Sequence, residues 1–575
     1  HVKAMKPLPS RKMKKEVPLM DCFVAPCKEG CPIHQDITTY LQLVGEEKYE
    51  EAMEVITEKN PLPFITGTIC AHNCMSKCTR NFYETPVHIR EMKLKAAENG
   101  YEALLEKLPV PAVTKAGKAA VIGGGPAGMA AAYFLRKGGM EVTLFEAKES
   151  LGGVVRHVIP PFRISEDAIE KDAEILRKMQ VDIHCNTKLE SLEELKKQGY
   201  TKIVLAVGAP VQGSLKLESG MPKNALEFLA EFKQTDGKVS LGKHVVVIGG
   251  GNTAMDTARA AKRNAGVEHV YLIYRRTRRY MPADEEELVM ALEDGVEFKE
   301  LLSPVKLENG QLFCKVMQLS DYDVSGRRGV TETGETVWVP ADTVIAAVGE
   351  KVPTDWYQAN GLAVSEKGRL YVDEKTLKTS DDNVYAAGDG LYGPATVVEA
   401  IRDGRKVAEA IAGEVLACDF DKLAEEEKVY AKRGVLKEEQ KETKEAGRCL
   451  GCSTICENCV EVCPNRANIA IQVPGMEKHQ IIHVDYLCNE CGNCKSFCPY
   501  SSAPYLDKFT LFETEADMEN SKNQGFAVLD QETRRCKVRF FGKTFIWEPE
   551  KPAALPDGLG RMIETVCRDY SYLIR

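Results

Sequence analysis

Short apolar runs alternate with helical stretches through the middle of the chain. Lys118-Ala-Ala-Val-Ile122 reads as a buried strand, the Ala-rich run from Met129 to Arg136 as a helix, and Glu141-Val-Thr-Leu-Phe-Glu146 as the next strand. The order recurs at His244-Val-Val-Val-Ile248, a helix through Arg259, and His269-Val-Tyr-Leu-Ile-Tyr274. Thr201 to Gly208, Thr343 to Gly349 and Asn383 to Gly388 are further apolar strands that each run into a glycine. Strand, helix and strand in repetition predict two doubly wound α/β domains with parallel sheets. Elsewhere, Glu46 to Thr57 has the period of an amphipathic helix, and Asp419 to Gly447 reads as a charged helical linker. Phe526-Ala-Val-Leu529 and Cys536-Lys-Val-Arg-Phe-Phe541 suggest a small β-rich appendage.

The turns between these elements carry chemistry. After the first strand come Gly123, Gly125, Pro126, Ala127 and Gly128. Glycines there permit a tight turn, close approach of backbone N–H groups to a pyrophosphate, and tight helix–strand packing, while Glu146 stands where a carboxylate binds ribose hydroxyls. The second turn has Gly249, Gly251, Asn252, Thr253 and Ala254. Its following strand ends in Arg275-Arg276-Thr-Arg-Arg279, where an acid would select NAD(H); guanidinium groups at Arg275 and Arg276 suit a 2′-phosphate and favour NADP(H). The alternative is a solvated basic patch. Gly388-Asp389 ends a third strand, and Ala395-Thr396 opens a helix; an Asp there can bind a ribityl hydroxyl, and the helix N-terminus can stabilise charge on a flavin. FAD is the flavin expected.

The cysteines add a second kind of redox chemistry. Cys452-x3-Cys456-x2-Cys459-x3-Cys463-Pro precedes Cys488-x2-Cys491-x2-Cys494-x3-Cys498-Pro, and the latter is the spacing that holds [4Fe–4S] clusters in bacterial-type ferredoxins. The crossed pattern predicts Cys452, Cys456, Cys459 and Cys498 on one cube, with Cys488, Cys491, Cys494 and Cys463 on the other. The first half carries one residue too many, and Cys449 lies close by, so either Cys449 or Cys452 is the ligand. Zinc sites and disulfides compete poorly with a Cys-Pro in both halves.

Of 20 cysteines, most fall in two groups, Cys22 to Cys78 and Cys449 to Cys498, as metal-binding thiols do; Cys185, Cys314, Cys418, Cys536 and Cys567 stand alone. This implies a reducing, cytoplasmic setting. The 575 residues suffice for about three or four domains. The net charge of −9 argues against nucleic acid as partner, and no apolar run approaches a membrane span. The chain begins at His1 without an initiator Met, as a fragment of a longer polypeptide would.

Leu151-Gly-Gly153, Ile159-Pro-Pro-Phe-Arg163, Gly249 to Asp256 and Tyr274 to Ala283 resemble the small subunit of NADPH-dependent glutamate synthase and its relatives, over residues 20 to 415. With Arg448 to Asn468 and the ferredoxin pair, the chain looks closer to the iron–sulfur and FAD subunit of the selenate reductase type. The resemblance implies flavin contacts at Gly153 and Arg163 besides those above. It also implies N-terminal clusters. Relatives have C-x2-C-x4-C-x3-C-P there; this chain keeps Cys22, Cys27 and Cys31, with Leu19 in the first place, and then Cys70, Cys74 and Cys78. The implied pairing is Cys22, Cys27 and Cys78 on one cube and Cys31, Cys70 and Cys74 on another, and six thiols leave open two clusters completed by other ligands, one complete cluster with two spare thiols, or none.

The expected whole is a multidomain α/β protein. A helical iron–sulfur domain spans 1–112. An FAD domain spans 113–205 and 349–415, around an NADPH domain at 206–348. A charged helical linker (416–447), a two-cluster ferredoxin-like α+β module (448–505) and the small appendage (506–575) follow. The expected activity is an NADPH-dependent oxidoreductase subunit, with no catalytic acid or base, passing electrons through FAD and [4Fe–4S] clusters to a partner. By analogy the partner is a molybdenum-containing hydroxylase or reductase within a hetero-oligomer. A subunit for reductive amination and a non-catalytic wiring or assembly subunit are the alternatives.

Overall fold

The structure is a computed structural model that describes residues 12–575 apart from 83, 323–327, 421–423, 440–441, 550 and 552–554. The start of the expected basic N-terminal tail lies outside them. The described chain forms two compact units, one from Ile56–Ala71 and Leu94–Cys418, the other from residues 12–55, His72–Lys93 and Asp419–Arg575.

In the first unit, a five-stranded parallel sheet runs in the order Val384–Ala386, Tyr200–Leu205, Lys118–Ile122, Glu141–Phe145 and Asp182–His184. Its central strands are apolar and buried over most of their length, as in a parallel sheet covered on both faces. The helix Pro126–Lys137 starts from the first glycine turn, with Pro at its first position, where no amide donor is needed. It packs against Val397–Ala412, and Gly404 sets the approach: a Cβ there would lie 2.5 Å from the Ala127 carbonyl oxygen and 2.8 Å from the Ala131 nitrogen. The buried carboxylate of Asp172, in the helix Glu166–Lys178, accepts the amides of Phe64 and Ile65 at 3.0 and 2.8 Å. An anion thus sits on the N-terminus of the helix Pro63–Ile69 and anchors it to this domain.

A second five-stranded parallel sheet takes the order Lys223–Asn224, Thr343–Ala346, His244–Ile248, His269–Tyr274 and Glu297–Glu300. An antiparallel three-stranded sheet (Leu302–Glu308, Gln311–Tyr322, Arg328–Pro340) flanks it. The two short strands Val211–Gln212 and Glu350–Lys351 pair where the chain leaves and re-enters the first domain.

The second unit departs from the expected divisions. One six-stranded sheet joins Asn468–Ile471, Gln480–Val484, Thr510–Phe512, Gly525–Asp530, Arg535–Phe540 and Lys543–Trp547 in that order. Thr510–Phe512 pairs in parallel with Gln480–Val484, so the chain after residue 505 completes the sheet of the ferredoxin-like hairpin and is no separate appendage. The helix Asp557–Asp569 covers this sheet through Leu559, Met562, Ile563 and Val566, all buried. The expected charged helix at 416–447 is mostly irregular among the described residues, with the helix Glu426–Tyr430 and a 3-10 turn at Thr443–Arg448. Near the N-terminus the helix expected at Glu46 to Thr57 forms as Tyr49–Lys59, and a further helix, Ile37–Gly45, precedes it; the chain turns between them at Glu47, whose φ is 59°.

Gly404→Ala should destabilise the first α/β domain by about 1–3 kcal/mol through overpacking, measured as a lower melting transition. An unchanged transition would mean that the two helices do not approach this closely.

Candidate functional site

The first unit presents two nucleotide-type turns. Gly123 has φ 105°, and a Cβ there would meet the Ala206 carbonyl oxygen at 2.3 Å; a Cβ on Gly128 would meet the Gly123 oxygen at 1.8 Å. These positions admit only glycine. Gly125 has an open flank, its nearest neighbour being Gly153, and Gly153 itself has φ 53°. Pro126 and Ala127 begin the helix that follows. The buried Glu146 carboxylate accepts the amides of Gly124 and Lys148, both at 2.7 Å, which orients it at the end of its strand beside the turn. Gly388 turns with φ 71° into Asp389, which accepts the Ala395 amide at 2.9 Å; burial pushes the Asp389 carboxyl up. Thr396 caps the helix Val397–Ala412 in a reciprocal box with Glu399, so Ala395 and Thr396 lie at a well-formed helix N-terminus.

In the second turn Gly249 has φ 155° and leaves no room for a Cβ beside the Ala347 oxygen, while Gly251 faces open space. Asn252, Thr253 and Ala254 open the helix Asn252–Arg263, and Asn252 accepts the Asp284 amide at 2.9 Å. Arg275 is exposed just past the strand His269–Tyr274, and Arg276 donates to the Arg328 carbonyl at 2.8 Å. Both arginines therefore sit at the strand end expected of a 2′-phosphate contact.

Arg163 has another engagement. Its guanidinium donates to Asp256 at 2.6 Å and Glu287 at 2.5 Å, both in the nucleotide domain, and the adjacent Phe162 ring lies under Arg259 and Arg263 at 5.0 and 4.2 Å. The Ile159 to Arg163 segment docks the two domains of this unit. Nothing in the spacing of Asp256 and Glu287 announces this network. Burial pushes Asp256 up and, opposed by Arg163, carries Glu287 up to about 7.

In the second unit the thiols fall into sets. Cys463, Cys488, Cys491 and Cys494 line one pocket. The Cys463 sulfur accepts the Ala467 amide at 3.2 Å and the Cys488 sulfur the Glu490 amide at 3.3 Å. Cys27, Cys78, Cys449 and Cys452 line another pocket, and Thr79 Oγ1 lies 3.1 Å from the Cys452 sulfur. Burial pushes these four thiols up; backbone amides and the guanidiniums of Arg80 and Arg448 oppose the rise at Cys78. Cys22, Cys456 and Cys459 pack together about Phe23. Burial pushes Cys456 up to about 12, with Cys22 and Cys498 as neighbours acting in the same direction. The sequence grouping therefore differs at two places. Cys452 lines a void with N-terminal thiols, and Cys22 packs with ferredoxin-type ones. Cys31 and Cys74 belong to this unit and Cys70 to the other.

Among the described residues no three His, Cys, Asp or Glu side chains converge tightly enough for one metal ion. A cube differs, since each thiolate meets its own iron and the thiols enclose a space. Two pockets lined by four thiols each fit that donor chemistry. No helix among the described residues is long and apolar enough to cross a membrane.

Residues 117–404 match the family described as Pyridine nucleotide-disulphide oxidoreductase, and residues 10–103 match Dihydropyrimidine dehydrogenase domain II, 4Fe-4S cluster. The chain is 40% identical to "Putative oxidoreductase YgfK" of Escherichia coli K12, covering 93% of this chain and 53% of that protein. It is 34% identical to the NADPH-Fe(3+) oxidoreductase subunit beta of Geobacter sulfurreducens (68% of this chain, 64% of that one). With the glutamate synthase [NADPH] small chain of Azospirillum brasilense the identity is 33% (68% and 86%). The chain spans about half the length of the first of these relatives.

Because folding favours protonated Glu287, its contribution to stability is fully present below about pH 4.5 and lost as pH rises through about 7. Glu287→Gln should flatten the decline of melting temperature across that window. A decline identical to that of the parent would contradict the raised carboxyl.

Proposed function

The chain belongs to the pyridine nucleotide-disulphide oxidoreductase family, together with the glutamate synthase small chain, and on that premise we propose that it is an NADPH-dependent FAD and iron–sulfur subunit that relays electrons to a partner. The observation that carries this reading is one chain with two glycine turns of dinucleotide type and thiol-lined voids besides. When bound, FAD accepts two electrons as hydride from NADPH and the clusters carry electrons singly, so the flavin is where pairs become single electrons.

The residues of this chain bind and position. Backbone amides at Gly125, Ala127 and Gly128 would face the pyrophosphate of FAD, while Gly123 and Gly124 donate to Phe145 and Glu146; Glu146 would take its ribose, and Asp389 a ribityl hydroxyl. The N-terminus of Val397–Ala412 favours negative charge on the flavin. Gly251 lets the NADPH pyrophosphate approach the backbone, and Arg275 with Arg276 takes the 2′-phosphate. Arg163 acts as a docking residue between the two domains through Asp256 and Glu287, in place of the flavin contact that resemblance implied. No side-chain acid or base is assigned, because hydride transfer asks for none.

Relatives named as a subunit beta and a small chain support an acceptor on a separate module or subunit. We assign it as a redox enzyme, by analogy a molybdenum-containing hydroxylase or reductase. For Cys31, Cys70 and Cys74 as N-terminal ligands the grounds are the resemblance to relatives that hold clusters in this region.

Replacing Arg275 and Arg276 together by Ala should raise KM for NADPH by roughly ten- to a hundred-fold, as expected for about 1.5–3 kcal/mol of lost charged hydrogen bonding, and leave KM for NADH nearly unchanged. Steady-state reduction of an artificial acceptor with each coenzyme measures this. Equal losses for both would place the phosphate elsewhere.

A further inference from the structure

The first ferredoxin-type half has a misfit in spacing that the second half lacks. Aligned on Cys-Pro, Cys456, Cys459 and Cys463 match Cys491, Cys494 and Cys498, and the residue that matches Cys488 is Ser453. Ser453 is buried, and its hydroxyl accepts from Thr38 at 3.0 Å, so this position offers no thiol. The N-terminal motif has the complementary defect, because Leu19 stands in its first place and packs against the apolar core of the six-stranded sheet.

The segment after Leu19 is fixed against the ferredoxin-like module. Asp21 and Gln480 exchange hydrogen bonds at 2.9 and 2.8 Å, and Lys508 donates to the Pro18 carbonyl at 2.6 Å. Tyr500, two residues after Cys498, donates to the Val24 carbonyl at 2.6 Å. These bonds hold Cys22 beside Cys456 and Cys459 in the apolar cluster around Phe23. Cys449-x2-Cys452 is thereby released for the other void, where it meets Cys27 and Cys78. Beside that void the fully buried Arg80 donates to the Arg448 carbonyl, and Arg448 pairs with Glu445 at 2.6 Å.

Resting on the iron–sulfur reading above, we propose that two cubes draw their ligands from both ends of the chain: Cys22 with Cys456, Cys459 and Cys498 on one, and Cys27 and Cys78 with Cys449 and Cys452 on the other. The loss of one cysteine in each motif is mutual compensation, and Cys449 is a ligand and no spare thiol. The cube on Cys463, Cys488, Cys491 and Cys494 keeps the expected set.

The test uses the full chain, purified without oxygen and loaded with ferrous iron and sulfide, and reads iron per chain and the low-temperature EPR spectrum after dithionite reduction. Cys22→Ser should lose about four irons and the same EPR signal as Cys456→Ser, with no further loss in the double variant. Cys449→Ser should lose the signal lost in Cys78→Ser. Should serine variants not fold, Cys22→Asp, Cys456→Asp and Cys449→Asp retain an anionic ligand and shift the signal of the cube they touch; the first two should shift one signal and the third another. The assignment is overturned if Cys22 and Cys78 variants affect the same signal, or if Cys449→Ser keeps full iron and an unchanged spectrum. A folded parent chain that binds no iron overturns the iron–sulfur reading itself.

Discussion

Four thiols must face one dry space from separate directions before a cube can bind, and that requirement organises the second unit. The thiols of the pocket lined by Cys27, Cys78, Cys449 and Cys452 come from the helix Pro26–Glu29, from the chain just before the turn Thr79–Phe82, and from the loop after Thr443–Arg448. Segments far apart in sequence are therefore held together by ordinary interactions independent of metal. Arg448 does much of this. Its guanidinium donates to the Thr85 and Pro86 carbonyls at 2.8 and 3.2 Å and to Glu445 at 2.6 Å. An arginine buried without partners would cost several kcal/mol. Here the partners are supplied by the two segments that carry Cys78 and Cys449, so satisfying the charge aligns the thiols.

The first unit obeys a different constraint, close approach of backbone. Gly123, Gly128 and Gly404 bring strand, turn and two helices nearer than any Cβ allows, and the helix Pro126–Lys137 begins at the turn where a pyrophosphate is expected. The adjoining nucleotide domain is docked through Phe162 and Arg163. Because Asp256 and Glu287 are buried on that seam and both are pushed up, protonation there couples to the packing of the two domains.

Much of this was legible in the sequence where the signal is local. The glycine turns, their strands and Glu146 depend on neighbours within a few tens of residues, and the parallel sheets formed as the apolar runs predict. Cysteine grouping was not legible, because spacing describes a motif in isolation, whereas Cys22 and Cys452 change company through contacts hundreds of residues apart. The extra residue between Cys452 and Cys456 was the visible trace of that exchange. The sheet that runs on past residue 505 was missed for a similar reason: Thr510–Phe512 is too short to signal which strand it will pair with. Arg163 was placed by resemblance, and only packing shows the carboxylates it meets.

The account stands on one chain receiving electrons in pairs and releasing them singly. Its most direct test is an anaerobic titration of the metal-loaded, flavin-bound chain with NADPH, following the flavin absorbance and the EPR of reduced clusters together. The flavin band should bleach and cluster signals should appear within the same titration, without any partner present. Bleaching of the flavin with clusters that stay silent under excess NADPH, yet respond to dithionite at a potential NADPH can reach, would contradict the relay.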